Sequence, residues 1–414
     1  MIGVTGSPLI QPFRAIRPVR ERASDVAARP YDVVSFAEAK AAAAGRPLSF
    51  LHVSRAEVDL PDGTDPYAAE VYAQAASAFR RMIESGALVR EARPCYYVYR
   101  LRADGHVQTG LAAAGSVAAY SINRIRRHEH TRPDKELDRT RQIEAVGAHT
   151  GPVLTVHAPD PEIALLLEQA ARAEPVADAV TDDGARHQVW PLAEAAIIDA
   201  VTRHFEAMPA IWIADGHHRS AAAARVAEAR AKAGENSADR LLLVSFPTDQ
   251  VRILDYNRVV RDLNGRTEVA FLEALGGAFE VVIASEPVRP EAPGTFGIFL
   301  GGRWYRLRLR EPPPATASPV DRLGVSLLNN RLLAPLLGIG DPRTDKRIDF
   351  VGGGRGLPAL EERVRSGHWA VAFSLHPTQL ADLIAVADAG QVMPPKSTWF
   401  EPKLADGLLS LPLD

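Results

Sequence analysis

Residues 210–230 read AIWIADGHHRSAAAARVAEAR, which is the sharpest pattern in the chain. The apolar residues 211–213 predict the end of a buried strand, Asp215 and Gly216 predict a turn, and a helix is expected to begin near His217. A strand that enters a helix through a glycine exposes the first backbone N–H groups of that helix. Those N–H groups and the positive end of the helix dipole attract anions, phosphate in particular.

The first turn of this helix carries three side chains that suit an anion. Arg219 has the planar donors that grip phosphate oxygens in pairs, while His217 and His218 can donate hydrogen bonds or move protons. The alternative is structural, with Asp215 capping the helix and the histidines satisfying buried carbonyls. Two histidines and an arginine on one turn favour the anion site. The candidate phosphate ligands here are Gly216, His217, His218 and Arg219.

A second segment, SINRIRRHEHTRPDKELDRTRQ, begins at Ser121. Between Arg124 and Arg141 it holds seven Lys and Arg against four Asp and Glu. Pro133 suits the first turn of a helix, and a carboxylate just before it could accept a hydroxyl proton or hold magnesium. The alternative is a solvated charged helix with i,i+4 pairs. The candidates on the approach to the helix are His128, Glu129, His130 and Arg132.

Two later segments offer weaker signals. RIDFVGGGRG, from Arg347, places Arg355 in a glycine-rich loop that matches neither the dinucleotide fingerprint nor the P-loop. MPPKSTWFEPKL, from Met393, presents Lys396 and Ser397 after two prolines that fix the backbone. Arg355, Lys396 and Ser397, together with Arg132, are further candidate phosphate ligands. A glycine-rich loop is more often an ordinary turn, and an ordinary ordered loop explains MPPKSTWFEPKL equally well.

Near the N-terminus, RPYDVVS supplies Tyr31 and Asp32, and SFLHVSRAE places Ser49 and His52 on a predicted strand. Residues an odd number apart on a strand face opposite sides, so Ser49 and His52 cannot both face one site without a bulge. The candidate substrate contacts are Tyr31, Asp32 and His52, together with His128 of the second segment, and core packing is the alternative for the aromatic residue.

Composition narrows the class of protein. The 414 residues hold 48 Lys and Arg against 51 Asp and Glu, a net charge of −3, which argues against a nucleic-acid-coating surface. We see no apolar run long enough for a membrane helix, and the single cysteine excludes intramolecular disulfides and a four-cysteine zinc site. We therefore expect a cytoplasmic protein that uses neither membrane nor nucleic acid, with homo-oligomerisation left open.

The pattern of apolar runs and turns predicts an α+β (mixed α/β) fold in two lobes, residues 1–246 and 247–414. LSFLHV from Leu48 and LLLVSF from Leu241 predict buried strands, and turns at Asp104-Gly105 and Gly301-Gly302 predict hairpins. Long helices are predicted after the residues Pro66, Pro133, Leu192, His217 and Asp321.

Seven of these segments, in consistent order from about Pro12 to Leu411, resemble the domain-of-unknown-function 1015 family. They read QPFRAIRP, RPYDVVS, SFLHVSRAE, IRRHEHTRPDKELDR, IADGHHRSAAAARV, RIDFVGGGRG and MPPKSTWFEPKL. The resemblance implies a ParB/sulfiredoxin-like core, whose superfamily binds nucleotides or phosphoryl groups. It places the HEHTR and DGHHR motifs in the first lobe and the GGGRG and PPKST loops in the second.

Relatives of this family include kinases that phosphorylate free L-serine from ADP or pyrophosphate. The resemblance implies a phosphotransferase with pyrophosphate or a nucleotide as donor, a small hydroxyl substrate as acceptor, and Mg²⁺ as cofactor. Glu129, His130 and Asp215 would be catalytic, and Asp215 and Glu129 would also hold the metal. The sequence leaves open the alternative of a ParB-like module that binds a nucleotide or phosphometabolite without catalysis.

Overall fold

The computed structural model describes residues 8–234 and 239–414, which form two compact units. The first unit comprises the chain up to Val251 together with Pro402–Asp414, and the second comprises Arg252–Glu401. Both units combine helices with β-sheet, so the predicted mixed α/β class with two lobes is confirmed. The predicted boundary after residue 246 lies close to Val251, but the last residues of the chain return to the first unit.

Among the described residues of the first unit, nine strands form one mixed sheet. Eight follow the order Ile125–Arg126, Ile211–Asp215, Val153–His157, Arg240–Pro247, His106–Ser116, Tyr96–Ala103, Arg186–Leu192 and Ala177–Val180, and Ile10–Gln11 pairs with His106–Ser116. Two smaller sheets pair Ile16–Pro18 with Leu88–Arg90 and Ala148–His149 with Leu411–Pro412.

The parallel pair at one end of this sheet positions the candidate site. Strand Ile211–Asp215 runs parallel to Ile125–Arg126, with Ile211 opposite Ile125. Because parallel strands end at the same sheet edge, the residues that follow them emerge side by side. The HEHTR segment therefore leaves the sheet next to the DGHHR turn.

Helices of the first unit cover this sheet and pack beside it. Pro133 occupies the first turn of helix Pro133–Val146, which ends at Gly147 in the left-handed conformation, as the sequence predicts for a proline start and a glycine stop. The α-helices are Ala23–Val26, Phe36–Ala43, Leu51–Ser54, Ala69–Glu84, Val117–Ser121, Pro133–Val146, Pro161–Ala170, Ala195–Ala207 and His217–Lys232, and short 3₁₀ turns span Arg20–Arg22 and Ala56–Asp59.

The C-terminal segment is held in the first unit by backbone pairing. Strand Leu411–Pro412 pairs with Ala148–His149, and Asp406 exchanges backbone hydrogen bonds with Ala28. Leu408 and Leu409 are buried. The predicted second lobe extends to residue 414 because the chain after the PPKST loop carries no boundary signal; the return to the first unit depends on pairing between residues far apart in sequence.

In the second unit, six described strands form one antiparallel sheet in the order Phe279–Ala284, Arg303–Leu309, Thr295–Leu300, Val371–Leu375, Tyr256–Val260 and Ile348–Gly352. A short ladder pairs Ile253–Leu254 with Trp399–Phe400. The helical segments are Glu268–Leu275, Val320–Arg322, Gly324–Leu328, Asn329–Leu333, Ala334–Leu337, Gly353–Arg355, Pro358–Arg365 and Leu380–Asp388.

Most predicted elements are confirmed. Hairpins turn at Asp104-Gly105 and Gly301-Gly302, LLLVSF lies in strand Arg240–Pro247, and helices follow Pro66, Pro133, Leu192 and His217. The helix predicted after Asp321 is divided into short segments, one of them a π-helical turn just before Pro335. Proline has no N–H to continue the ladder, which explains the irregularity there.

The prediction of a strand at LSFLHV is wrong. Residues Leu51–Ser54 form a short helix, in which Ser54 N–H donates to the Phe50 carbonyl at 2.9 Å. Phe50 and Val53 are fully buried. A short apolar run is buried in either conformation, so periodicity alone does not distinguish a strand from a helix of this length.

Within the described ranges, the helices are too short or too polar to cross a lipid bilayer.

Candidate functional site

The HEHTR segment and the DGHHR turn are joined by hydrogen bonds to the two histidines of the turn. The backbone N–H of His128 donates to His217 Nε2 at 3.4 Å, and the backbone N–H of Arg132 donates to His218 Nε2 at 3.1 Å. The two segments that the sequence singled out therefore form one site. Their separation in sequence hid this contact, which follows from the parallel pairing of the strands before them.

These contacts fix the state of both imidazoles. In each ring Nε2 accepts a hydrogen bond, so the neutral ring carries its proton on Nδ1. Burial and the neighbouring His128 lower the pKa of His217 well below its usual value. Burial also lowers the pKa of His218. Both histidines therefore present neutral Nδ1–H donors rather than positive charge.

Glu129 faces the first of these donors. Its Oε2 lies 3.8 Å from His217 Nδ1, and its side chain is 29% exposed. The ring of His128, which is fully buried, packs edge-on against His217 with centroids 4.4 Å apart, and burial lowers the pKa of His128 to about 4. His130 is exposed. Glu129 is thus an accessible carboxylate beside a buried neutral histidine pair.

Asp215 lies between two cations. Its Oδ2 accepts from Arg219 Nη2 at 2.9 Å, and its Oδ1 lies 3.5 Å from Lys403 Nζ. Burial alone would raise the pKa of Asp215, but Lys403 and Arg219 outweigh it and hold the pKa well below its usual range. Asp215 is therefore ionised at neutral pH.

Arg219 is held by protein groups on several sides. Its Nη1 donates to the Pro152 carbonyl, its Nη2 to Asp215, and Asp32 Oδ2 lies 3.7 Å from Nη2. Burial opposes the charge, but Asp32 and Asp215 overcome it and raise the pKa of Arg219 further. To bind phosphate through two parallel hydrogen bonds, this guanidinium would have to give up its contacts with Pro152 and Asp215.

The glycine between Asp215 and the helix has a conformation that other residues adopt at a cost. Gly216 has φ +99°, and a Cβ there would lie 3.1 Å from Arg219 Nε and 3.3 Å from Val153 Cα. Gly216 is also the N-cap of helix His217–Lys232 and provides no side-chain hydrogen bond. The first N–H groups of the helix are therefore not capped by the residue before it, as an anion site requires.

Behind Arg219 lies a small cavity of about 30 Å³, space for roughly two water molecules. Four buried polar atoms of its lining residues have no hydrogen-bond partner among the described residues: Ser54 Oγ, His149 Nε2, Arg219 Nε and Asp406 Oδ1. Burial, only partly offset by Arg219, raises the pKa of Asp406 to about 7. The cavity therefore places several polar atoms beside Arg219.

Tyr31 and Asp32 border the same cluster. The ring of Tyr31 stacks on the guanidinium of Arg139, with a 4.0 Å separation from the ring centroid, and its backbone N–H donates to Asp406 Oδ2 at 3.3 Å. Burial and the adjacent Asp32 carboxylate raise the pKa of Tyr31. Asp32 is exposed, whereas Arg139 is bound by Asp138 at 2.8 Å.

The remaining predicted site residues are engaged in other contacts or are exposed. Both ring nitrogens of His52 are engaged, Nδ1 with Asp59 at 2.7 Å and Nε2 with the Arg46 carbonyl at 3.1 Å. The exposed Arg132 pairs with Asp134. Residues Arg355, Lys396 and Ser397 belong to the second unit: Arg355 is exposed, Lys396 O accepts from Arg258 and Ser397 Oγ donates to the Pro394 carbonyl.

Sequence reasoning did not single out Lys403 or Asp406. Lys403 lies in the FEPKL part of MPPKSTWFEPKL, and the predicted ligands of that segment, Lys396 and Ser397, stand further upstream. Its contact with Asp215 joins residues nearly two hundred positions apart, and no local pattern signals such a pair. Asp406 lies in the same C-terminal return, next to Gly407.

The expected Mg²⁺ would need several oxygen ligands close together. In 8–234 and 239–414, no group of three or more His, Cys, Asp or Glu side chains is arranged to hold a metal ion. Asp215 already faces two cations, and Glu129 faces His217 Nδ1. A divalent ion held by Asp215 would have to displace Lys403 or Arg219, so these side chains alone do not fit a resident metal.

Solved structures with some likeness to this chain have low sequence identity. SbnI with a C-terminal truncation, from Staphylococcus aureus, is 14% identical over 73% of this chain and 87% of that chain, with a TM-score of 0.38. Free serine kinase in complex with AMP is 13% identical over 73% and 90%, with a TM-score of 0.38. A conserved hypothetical protein from Pyrococcus furiosus is 12% identical over 73% and 95%, with a TM-score of 0.35. Likeness at this level transfers no activity to the chain.

The sequence of the chain identifies its family. No curated protein matches the chain at a significant level. The family model described as protein of unknown function (DUF1015) matches residues 10–326, which is most of the chain. Five of the seven segments that suggested this family lie within the match, and the two that begin at Arg347 and Met393 lie beyond it; the chain belongs to the DUF1015 family.

Proposed function

We propose that this protein is a small-molecule phosphotransferase that transfers a phosphoryl group from pyrophosphate or a nucleotide to the hydroxyl of free L-serine, giving O-phospho-L-serine. One observation carries the proposal. Two neutral Nδ1–H donors, from His217 and His218, stand on an uncapped helix start, and a partly exposed carboxylate lies 3.8 Å from the first of them. Phosphoryl transfer needs mainly positioning and charge stabilisation, which such a site can supply.

The phosphate of the donor would bind at the start of helix His217–Lys232. Backbone N–H groups of the first turn and the two imidazole Nδ1–H groups are donors, and the helix dipole favours negative charge there. Arg219 and Lys403 add positive charge behind Asp215. Because Asp215 is ionised, it offsets part of that charge and would limit how tightly an anion is held.

Glu129 would act as the general base. Its carboxylate would accept the hydroxyl proton of serine as the oxygen attacks the terminal phosphorus and the bond to the leaving phosphate breaks. A nearby neutral His217 would donate to the phosphoryl oxygens in the transition state. His130, exposed beside Glu129, and Asp32, at the edge of the cluster, would contact the substrate.

We expect magnesium to bind together with the phosphoryl donor rather than as a resident ion of the protein. A divalent ion would neutralise charge on the phosphate oxygens, and the donor's own oxygens would be its main ligands. No step is assigned to it, because Asp215 and Glu129 do not form a metal site by themselves.

A second candidate is a regulatory module that binds a nucleotide or phosphometabolite without converting it. The engagement of Arg219 by the Pro152 carbonyl and Asp215 favours it, since a guanidinium in these contacts cannot stabilise a transition state as well as a free one. Anion binding by helix N–H groups alone would not need this side chain.

Phosphorus NMR distinguishes the two candidates. The full chain is incubated with L-serine, Mg²⁺ and one phosphoryl donor in each reaction. The donors are pyrophosphate, ADP and ATP. The phosphotransferase proposal expects a new phosphoserine resonance with at least one donor and none without serine. Saturable binding of pyrophosphate or nucleotide, with no turnover across a screen of hydroxyl acceptors, would instead establish the binding module.

A further inference from the structure

A second and larger cavity lies on the first unit's sheet, at the other end of strand Val153–His157 from the anion site. Strand Val153–His157 has its first residue beside Gly216, where a Cβ would approach Val153 Cα to 3.3 Å. Its last residue, His157, lines a separate cavity of about 210 Å³ in the first unit. Four residue steps along a strand separate the two places by roughly 13 Å. This cavity is therefore distinct from the anion site.

The position of the cavity is one that α/β proteins commonly use for ligands. Strands Val153–His157 and Arg240–Pro247 are parallel, with Pro247 opposite His157, so both carboxyl ends open at this edge. Helix Pro161–Ala170 begins at the same edge and is capped by Asp160. Ligands bind beyond the carboxyl ends of parallel strands because the connecting loops leave room there.

The floor of the cavity is apolar. Ile163 and Leu167 are nearly fully buried and line one side from helix Pro161–Ala170, together with the exposed Ala164. Proline rings of the two strand ends complete the apolar lining at Pro159, Pro161 and Pro247. A hydrocarbon chain laid on this surface would leave water, which is favourable in proportion to the area covered.

The rim is acidic. The ionisable lining residues are Asp160, Glu168, Asp249 and His157, and no Lys or Arg of the described residues lines the cavity. Two of the carboxylates are compensated from outside: Asp160 pairs with His204 at 2.8 Å and Glu168 with Arg100 at 2.6 Å. Asp249 is exposed and forms no ion pair with any residue in the described ranges. One uncompensated negative charge therefore remains at the mouth.

Two further polar groups point to a built site. His157 is 1% exposed, and its Nδ1 pairs with the Ser245 hydroxyl at 2.8 Å, which fixes the ring in the cavity wall. Burial lowers the pKa of His157 to about 4, so the ring adds no positive charge. Gln250 is held by the Thr109 N–H at 2.8 Å, and both residues line the cavity.

From this combination we propose that the cavity bounded by Ile163, Leu167 and Asp249 binds a small aliphatic ammonium ion. The hydrocarbon chain lies on the floor formed by helix Pro161–Ala170, and the ammonium group lies at the mouth beside the Asp249 carboxylate. A carboxylate ligand would face the uncompensated Asp249 carboxylate, and a neutral alcohol would lack the charge pairing.

Isothermal titration calorimetry of the full chain tests the proposal with n-pentylammonium, 1-pentanol and pentanoate as probes. Saturable binding is expected for pentylammonium, weaker binding for pentanol and none for pentanoate. Each methylene removed from the amine should weaken binding about fourfold, the effect of one buried CH₂ group. Equal binding of the three probes, or no saturable binding of the amine, would overturn the proposal.

Three variants locate the site. Asp249→Asn should weaken amine binding about three- to fivefold and leave pentanol binding unchanged, as expected for one partly exposed ion pair. Ala164→Trp should abolish amine binding by filling the cavity from an exposed helix position. Leu165→Trp, on the exposed face of the same helix and outside the lining, is the matched control.

The variants also separate this site from the anion site. Pyrophosphate should neither compete with pentylammonium nor lose affinity in Ala164→Trp. Amine binding that survives Ala164→Trp, or that is lost equally in Leu165→Trp, would show that the amine binds elsewhere and would refute the assignment.

Discussion

Arg219 Nη2 donates to Asp215 Oδ2 at 2.9 Å across the turn that joins a strand to a helix, while Lys403 Nζ lies 3.5 Å from the other oxygen of the same carboxylate. This arrangement makes Asp215 the centre of a charge network rather than a free ligand. It ties the C-terminal return of the chain to the DGHHR turn, so we expect the stability of the fold and the proposed anion binding to depend on the same contacts.

The first prediction concerns Lys403, whose side chain is 12% exposed. Lys403→Met removes one of the two cations beside Asp215 and leaves the carboxylate with Arg219 alone. We expect the free energy of unfolding to fall by about 1–3 kcal/mol, the range for a hydrogen-bonded charge that loses its partner in a partly buried place. Pyrophosphate binding should weaken as well.

Urea unfolding and calorimetric titration measure the two effects of Lys403→Met. Lys232→Met is the matched control, because Lys232 forms an exposed pair with Glu228 on the same helix. Unchanged stability in Lys403→Met would contradict a structural role for the contact with Asp215.

The second prediction concerns Glu129. If its carboxylate is the general base, Glu129→Gln should lower kcat by about 10²- to 10⁴-fold, the usual contribution of a positioned base. Pyrophosphate or nucleotide binding should change little, since the amide keeps the size of the side chain. Phosphoserine formation and donor titration are measured on the same preparation.

Glu144→Gln, an exposed substitution on helix Pro133–Val146, controls for the loss of one negative charge. Parallel losses of turnover and donor binding in Glu129→Gln would argue that Glu129 supports the site without taking the proton.

The third prediction concerns the pH dependence that Asp406 contributes. Its pKa is about 7 in the folded protein, above the ordinary value of 3.8, so the folded state binds one more proton than the unfolded state between these pH values. Stability from this group is therefore fully present at low pH and is lost as pH rises towards 7. The slope is at most about 1.4 kcal/mol per pH unit.

Asp406→Asn mimics the protonated carboxyl at every pH and should remove that slope. Unfolding of both proteins is followed between pH 4.5 and pH 6.5, and the natural chain should lose stability relative to the variant as pH rises. Buried neutral histidines such as His128 and His187 contribute the opposite slope in both proteins, so they cancel in the difference. A difference that is constant with pH would show that Asp406 is ionised throughout.

The fourth prediction concerns Gly216. Gly216→Ala places a side chain at φ +99° and a Cβ 3.1 Å from Arg219 Nε, so we expect a loss of about 1–3 kcal/mol in the free energy of unfolding. Gly234→Ala shares a positive φ, +83°, but its Cβ would meet no atom of the described residues within 4 Å. Thermal unfolding should show a larger loss of stability for Gly216→Ala than for Gly234→Ala, because only at Gly216 does the new Cβ disturb Arg219. Equal losses of stability would show that the contact with Arg219 has no effect.

The sequence by itself determined the local parts of this protein. The proline start of helix Pro133–Val146, the glycines at the two hairpin turns and the strand–turn–helix at Asp215-Gly216 were all predicted, because each follows from the conformations that those residues allow. The same local signals named Glu129 and the DGHHR turn as candidates. They also predicted a strand at LSFLHV, which is wrong, because a short apolar run is buried as a strand or as a helix.

Only the tertiary structure decided how these parts meet. Parallel pairing of Ile125–Arg126 with Ile211–Asp215 brings His128 and Arg132 to the histidines of the turn, and the C-terminal return brings Lys403 to Asp215. Such contacts depend on strand order and on chain segments far apart in sequence, which local propensity does not encode. For the same reason the neutral state of His217 and the raised pKa of Asp406 could not be predicted, since burial sets both.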